Sequence, residues 1–291
     1  MTYQGSYVAL VTPFRDGAVD EDALRSMVQW HIREGTNGLV PMGTTGESAT
    51  LDFDEHSRVT GIVVEEAAGR LPVIAGAGSN DTRVAILNAN HAQELGADAA
   101  LHVAGYYNRP SQEGLFRHFE AVHEATELPI IVYNIPPRAV VDIQPETMAR
   151  IAALPRVVGV KDATGDLTRP IRERLLIPGD FTFLSGEDGT AVAYNAAGGN
   201  GCISVTANVA PALCAEMQKA CREGDFARAA EIQLRLMPLH MALFAEPSPA
   251  GAKYAASLLG LCEETCRLPI VPLSDRARAA IRKAMQGLDL I

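Results

Sequence analysis

Short runs of β-branched and apolar residues alternate along most of the chain with longer stretches in which apolar positions recur at helical spacing. The runs Tyr7–Val11, Gly38–Pro41, Val73–Ala75, Ala99–Val103, Ile130–Tyr133, Val157–Val160, Phe181–Leu184 and Gly201–Val205 read as strands. Between them Asp20–Glu34, Asp54–Ala68, Asp81–Leu95 and Gln112–Thr126 carry the helical period. The strands are apolar at successive positions, so neither face of their sheet is wet, as in a parallel sheet covered by helices. Eight strand–helix units in about 205 residues predict an α/β fold, a (β/α)8 TIM barrel. An open, doubly wound sheet would need a glycine-rich turn after its first strand. Thr12–Pro13–Phe14 follows there instead, and the later Gly76–Ala77–Gly78 lacks a third glycine and an acidic partner.

Beyond Val209 the strand runs stop. Pro211–Glu223, Phe226–Phe244, Ala250–Leu261 and Ser274–Leu288 are helical in period, punctuated by Pro247, Pro249, Pro269 and Pro272. The first closes the barrel and the others form a C-terminal helical appendage. The expected organisation is a catalytic barrel over residues 1–224 and a helical domain over 225–291.

Composition narrows the function. The chain has 291 residues, 47% of them hydrophobic, enough for a sizeable core. Its 25 Lys and Arg against 35 Asp and Glu leave a net charge of −10. That balance opposes binding to a nucleic-acid backbone or to anionic lipid, both of which need clustered cations. No run approaches the roughly 20 apolar residues of a spanning helix, and Met1–Leu10 has no secretion-signal pattern. The five cysteines are odd in number and without framework spacing; Cys262 and Cys266 have no second pair to close a zinc site. Reduced thiols and a cytoplasmic location are expected. Metal-ligand spacings and a Gly-x-Ser-x-Gly elbow are missing, so no metal and no cofactor is implied.

Chemistry in such a barrel collects at the C-terminal ends of the strands. Those ends read Gly43–Thr44–Thr45–Gly46–Glu47, Tyr106–Tyr107–Asn108–Arg109–Pro110, Tyr133–Asn134, Lys161, Gly186 and the neighbourhood of Ile203. Lys161 stands at the inner end of an otherwise apolar strand, its amine aimed at the barrel mouth. One reading is a structural ion pair with Glu187 or Asp188. The other is a Schiff-base nucleophile. An ordinary lysine amine is neutral in only roughly four molecules per ten thousand at pH 7, and desolvation of such a group favours the neutral form that attacks a ketone.

Tyr133, Thr44 and Tyr107 supply hydroxyls at neighbouring strand ends, each able to donate and accept a proton. Imine and enamine formation need such transfers, so the company of Lys161 favours the catalytic reading. Arg138, after Pro136–Pro137, is either a surface cation or a planar fork for a substrate carboxylate. Thr44 and Thr45 make a second carboxylate cradle. Glycine-rich loops at Gly186–Gly189 and Gly198–Gly201 contain no Lys or Arg, which discounts a phosphorylated substrate.

Four segments together resemble one family: Gly43–Thr44–Thr45–Gly46–Glu47–Ser48, Tyr106–Tyr107–Asn108–Arg109–Pro110, Tyr133–Asn134–Ile135–Pro136–Pro137–Arg138 and Gly159–Val160–Lys161–Asp162–Ala163–Thr164–Gly165. The family is the pyruvate-dependent class I aldolases and lyases of the dihydrodipicolinate synthase/N-acetylneuraminate lyase group, and the likeness spans essentially the whole chain. The doubled Thr44–Thr45 and Arg138 resemble the synthase branch. The resemblance implies condensation of pyruvate with L-aspartate 4-semialdehyde to 4-hydroxy-tetrahydrodipicolinate. It implies an imine on Lys161, Tyr133 as proton donor and acceptor, and the pyruvate carboxylate held by Thr44, Thr45 and backbone near Ile203. Gly186 belongs to the same substrate site, and Arg138 holds the aldehyde's carboxylate.

The resemblance further implies a homotetramer of tight dimers in which Tyr107 reaches into a neighbouring subunit. It also implies an allosteric lysine site, matched by Ser48, Ala49, His56, Asn80 and Tyr106. Phe53 and Val84 depart there from a histidine and a glutamate, and the loss of a carboxylate facing the effector's ammonium predicts weak or absent inhibition by lysine. Ser248 departs from a frequent asparagine, with no consequence that can be drawn. Two rival readings remain: a sugar-acid or sialic-acid aldolase on the same scaffold, which Arg138 disfavours, and a catalytically silent metabolite-binding barrel, which the intact Lys161, Tyr133, Thr44 and Tyr107 disfavour.

Overall fold

Strands buried on both faces must pair with other buried strands, and in the computed structural model, which describes residues 3–291, the apolar runs do so in parallel. They are β1 (Gly5–Ala9), then a hairpin of β2 (Phe14–Arg15) and β3 (Ala18–Val19), then β4 (Gly38–Val40), β5 (Ile74–Gly76) and β6 (Ala99–Val103). The series continues with β7 (Ile130–Asn134), β8 (Val157–Asp162), β9 (Thr182–Ser185) and β10 (Gly201–Ser204). The hydrogen-bonded order is β4-β1-β10-β9-β8-β7-β6-β5. A parallel bridge between Leu39 and Val73 closes the ring, supported by the Gly76 N–H bonded to the Pro41 carbonyl at 2.9 Å.

Alternation along the strands divides the core in two. Tyr7, Ala9, Val40, Ile74, Leu101, Ile131, Leu184 and Ile203 fill the barrel. Their neighbours Val8, Leu39, Ala75, Ala100, Val132, Val160, Phe183 and Cys202 face outward against helices. Helices Phe226–Leu243 and Asp275–Gln286 add Ile232, Leu236, Leu239, Ile281 and Met285 to the cluster that holds Val8, Leu24, Val28 and Ile62. The C-terminal helices and one side of the barrel therefore share a core.

Three features depart from the predicted elements. The strand expected over Val157–Val160 runs on to Asp162, because Lys161 and Asp162 pair with Leu184 and Ser185 of β9. The strand expected over Tyr7–Val11 ends at Ala9. There the Val11 N–H bonds to the Asn208 side chain at 3.0 Å, so a residue from far along the chain replaces a strand partner. The β2–β3 hairpin was not predicted, although its Asp16–Gly17 turn, with both φ positive at 52° and 85°, is a strong local hairpin signal. No helix among the described residues is long and apolar enough to cross a membrane.

Candidate active site

Lys161 and Tyr133 are direct partners across β8 and β7, so both side chains emerge on the inner face of the barrel. Both are buried, and the lysine Nζ sits 4.1 Å from the centre of the tyrosine ring, within reach of a cation–π contact. Lys161 forms no ion pair among the described residues. The alternative partner Asp188 is committed elsewhere: its carboxylate accepts the Ser204 hydroxyl and the N–H groups of Val205 at 2.8 Å and Thr206 at 3.2 Å. Burial and the neighbouring Asp188 charge push the Glu187 carboxyl above its usual range, against a smaller opposing effect of Lys161. The ion-pair reading of Lys161 is thus replaced by a buried amine against an aromatic face.

Gly186 borders that amine. A Cβ there would lie 3.1 Å from Lys161 Cε and 2.9 Å from the Ala163 side chain, so the glycine keeps space open beside the lysine. Its N–H donates to the Asp162 carbonyl at 2.6 Å. Ile203, on the inner face of β10 in register with Tyr7, contributes apolar wall to the same interior.

The Gly43–Glu47 segment turns sharply across the barrel mouth. Gly46 N–H bonds to the Gly43 carbonyl and Glu47 N–H to the Thr44 carbonyl, each at 3.1 Å. A Cβ on Gly46 would meet Met42 N at 3.0 Å and the Leu10 carbonyl at 3.1 Å, so a larger residue would have to push the neighbouring backbone aside. The turn leaves Thr44 exposed and Thr45 buried. Glu47 turns away from the mouth to a buried ion pair with Lys253 at 2.7 Å, and it also accepts the Arg267 N–H at 2.8 Å. These anchors escaped the sequence reading. Glu47 ends the Gly43–Glu47 run, but nothing local in the sequence points to a partner in the C-terminal helices.

Thr44 and Arg138 line one groove of about 500 Å³ together with Ser48, Ala49, His56 and Tyr106. Asn80 adjoins it, donating Nδ2 to the Tyr106 carbonyl at 3.3 Å. The helix Phe53–Ala67 begins with a capping box between Asp52 and Glu55, which sets Phe53 and His56 on the groove. Phe53 packs its ring 5.1 Å from that of His91, and Val84 is exposed beside it. Burial lowers the His56 imidazole below its ordinary range, holding it neutral. The one acidic residue of the groove, Asp52, receives the Glu55 N–H at 2.9 Å as the helix cap.

Tyr107 is not brought to this site within the chain. It is 89% exposed, whereas Tyr133 is 6% exposed, and it holds a positive φ of 66° on the loop after β6. The loop keeps its shape through the Asn108 N–H to the Tyr106 carbonyl at 2.8 Å and the Asn108 side chain to the Asn80 carbonyl at 2.9 Å. No group of three or more His, Cys, Asp or Glu is placed to hold a metal among the described residues.

Buried lysine, paired tyrosine and a mouth lined by hydroxyls and one guanidinium suit attack on a ketone of an anionic substrate. The family model of the dihydrodipicolinate synthetase family matches residues 2–288. A 4-hydroxy-tetrahydrodipicolinate synthase of Acidiphilium cryptum is 60% identical over 290 residues, 99% of each chain. One from Rhodospirillum centenum is 59% identical over 289 residues, again 99% of each. The structure of a chloride-inhibited dihydrodipicolinate synthase from Acinetobacter baumannii, complexed with pyruvate, superposes with a TM-score of 0.97 at 43% identity, covering 100% of both chains.

Proposed function

We propose that this chain, which belongs to the dihydrodipicolinate synthetase family, uses Lys161 as the amine that joins pyruvate to L-aspartate 4-semialdehyde. The enzyme is a lyase of the class I aldolase type. Its product is 4-hydroxy-tetrahydrodipicolinate, on the route to diaminopimelate and lysine. The observation that carries the residue assignment is the Lys161–Tyr133 pair: a buried amine, without a carboxylate partner, 4.1 Å from the ring of a buried tyrosine.

The unprotonated Lys161 amine attacks the pyruvate ketone carbon to give a carbinolamine, which loses water to become a protonated imine. Loss of a methyl proton yields the enamine, whose carbon bonds to the aldehyde carbon while the aldehyde oxygen takes up a proton. The amine of the second substrate then attacks the imine carbon, closing the ring and expelling Lys161. Tyr133 gives and takes the protons of these steps, since its hydroxyl is carried on the ring that faces the amine. A carboxylate within contact distance would instead hold Lys161 as an ammonium, which cannot attack.

Thr44 and Thr45 take the pyruvate carboxylate, with Gly186 leaving room for the bound ketoacid and backbone near Ile203 completing its seat. Arg138 takes the carboxylate of the semialdehyde as a fork of two N–H donors, for which a polyhydroxylated sugar aldehyde has no matching charge. Tyr107, exposed on its loop, extends the proton relay of a neighbouring subunit in a homotetramer built of tight dimers. The Ser48, Ala49, His56, Asn80 and Tyr106 groove is the counterpart of the family's lysine site. It gives an incoming ammonium no free carboxylate, so lysine inhibits weakly or not at all. The free cysteines support a reducing, cytoplasmic location.

The test is pyruvate-dependent consumption of aspartate semialdehyde, coupled to the next reductase, in wild type and Lys161→Ala. Collapse in the variant, with loss of borohydride-trapped pyruvate, is the expected result. Trapping on Lys161 without use of the semialdehyde would keep the imine chemistry and move the substrate to sugar-acid aldehydes.

A further inference from the structure

Arg138 rides on a loop whose two ends are tied to each other. Asn134, the last residue of β7, donates Nδ2 to Asp142 Oδ1 at 2.9 Å and to the Ile143 carbonyl at 3.4 Å. Its Oδ1 accepts the Ile143 N–H at 3.2 Å. From behind, Arg169 reaches the same two residues, donating Nη2 to Asp142 Oδ2 at 2.6 Å and Nη1 to the Ile143 carbonyl at 2.9 Å. Asn134 is 1% and Arg169 5% exposed, so both sets of bonds are largely shielded from water. Between the ends lies one helical turn, Pro136–Ala139, in which two prolines fix φ and the Val140 N–H returns to the Pro136 carbonyl at 2.9 Å. The loop is therefore a closed, stiff ring carrying one guanidinium over the barrel mouth.

Strand alternation couples this ring to the reacting pair. Tyr133 and Lys161 point inward, so their successors Asn134 and Asp162, also direct partners across the strands, point outward. The ring thus starts one residue after the tyrosine that faces the amine. Arg169 sits among carboxyls, with Asp142 at 2.6 Å and Glu173 at 3.9 Å. Its bonds to Asp142 and to the Ile143 carbonyl use its fork in the two-pronged manner a lysine cannot copy.

We propose that Arg169, acting with Asn134 and Asp142, is a positioning residue for Arg138 and through it for the carboxylate of the aldehyde substrate. The inference rests on the assignment of that carboxylate to Arg138. Release of the clasp leaves pyruvate binding at Lys161 untouched and lets Arg138 drift, raising KM for the semialdehyde selectively.

The experiment is steady-state kinetics with each substrate varied in turn, on Arg169→Met, Asp142→Asn, Arg138→Ala and the double variant Arg138→Ala/Arg169→Met. Arg169→Met should raise KM for the semialdehyde about tenfold or more, in line with small displacements of a substrate-orienting group. KM for pyruvate and borohydride trapping of pyruvate should stay within about twofold. Asp142→Asn, a milder change that keeps the shape, should give the same pattern at smaller size should Arg169→Met fold poorly. In the Arg138→Ala background the Arg169→Met effect on semialdehyde KM should disappear. Persistence of that effect without Arg138, or a fall in kcat with both KM values unchanged, would overturn the positioning role while leaving Arg138 in place. An Arg138→Ala variant with an unaltered semialdehyde KM would instead remove the assignment beneath it, and the inference with it.

Discussion

Glu47 and Lys253 are 206 residues apart in sequence and 2.7 Å apart in the fold, and both are almost wholly buried. The pair joins the turn that carries Thr44 and Thr45 to the helix Ala250–Leu258. Its surroundings compensate the two charges. Lys253 Nζ lies 4.0 Å from the centre of the Phe14 ring, and the second Glu47 oxygen accepts the Arg267 N–H. Arg267 itself forks onto Glu55 with two bonds of 2.6 Å.

Removing one member leaves the other charge stranded, which costs about 3–5 kcal/mol in buried pairs. Lys253→Met should therefore lower the urea midpoint strongly and raise KM for pyruvate as the turn loosens. The double variant Glu47→Gln/Lys253→Met should be more stable than Lys253→Met alone. Simple addition of the two single losses would show that the residues do not act as a pair.

Tyr133→Phe keeps the ring beside the Lys161 amine and deletes only the hydroxyl. Turnover should fall by about 10²–10⁴, the range for a lost general acid–base, while borohydride still traps pyruvate at a reduced rate. Tyr107→Phe should lower turnover without abolishing trapping, and only in an assembled oligomer. Light scattering that finds a fully active monomer would remove Tyr107 from the relay.

Glu173 makes a contribution to stability that declines with rising pH, opposite in sign to that of the buried His31 and His102, whose imidazoles burial lowers to about 3. Burial, with a smaller push from Asp162, raises the Glu173 carboxyl to about 8, against a partial offset from Arg169. Between about 4.5 and 8 the folded chain keeps a proton that the unfolded chain has already released. Folding is then progressively penalised as pH climbs, by at most about 1.4 kcal/mol per pH unit, and the loss is complete above the folded value. Glu173→Gln carries no such proton. Its advantage over wild type in denaturant midpoint should widen from pH 5 to pH 8 and then stay level; a constant gap across that range would refute the linkage.

Lysine added to the assay should inhibit weakly. The groove that holds Ser48, His56 and Tyr106 presents Phe53 and Val84, and its single carboxylate, Asp52, is used as a helix cap. Restoring an acid with Val84→Glu should strengthen inhibition about tenfold or more, the size expected of one charge-assisted contact. Half-inhibition of the unaltered protein at submillimolar lysine would contradict this account.

Much of this architecture can be read from local pattern. Continuous apolar runs announce a covered parallel sheet, and a lysine ending one such run can only point along the barrel axis or away from it. The strand ends were harder, since Lys161 and Asp162 extend β8 by pairing with β9 and not by being apolar. The clasp at Asn134, Asp142 and Arg169 and the Glu47–Lys253 pair were not legible. Each depends on which distant segments the fold brings together, and no periodicity in either partner encodes the other. Asp16–Gly17 is a different case, a hairpin signal that local chemistry did contain.

The placement of amine and acid on successive residues of β8 also bears on how this protein can change over generations. Lys161 faces the cavity and Asp162 the helices solely because of their count along the strand. A one-codon insertion or deletion within β8 would turn the strand over, presenting a carboxylate or valine where Lys161 now stands. Drift in length is therefore confined to the connecting loops, where residues can be gained or lost without inverting the strand. New substrate preferences would then be expected to arise there while Lys161 and Tyr133 are inherited as a unit.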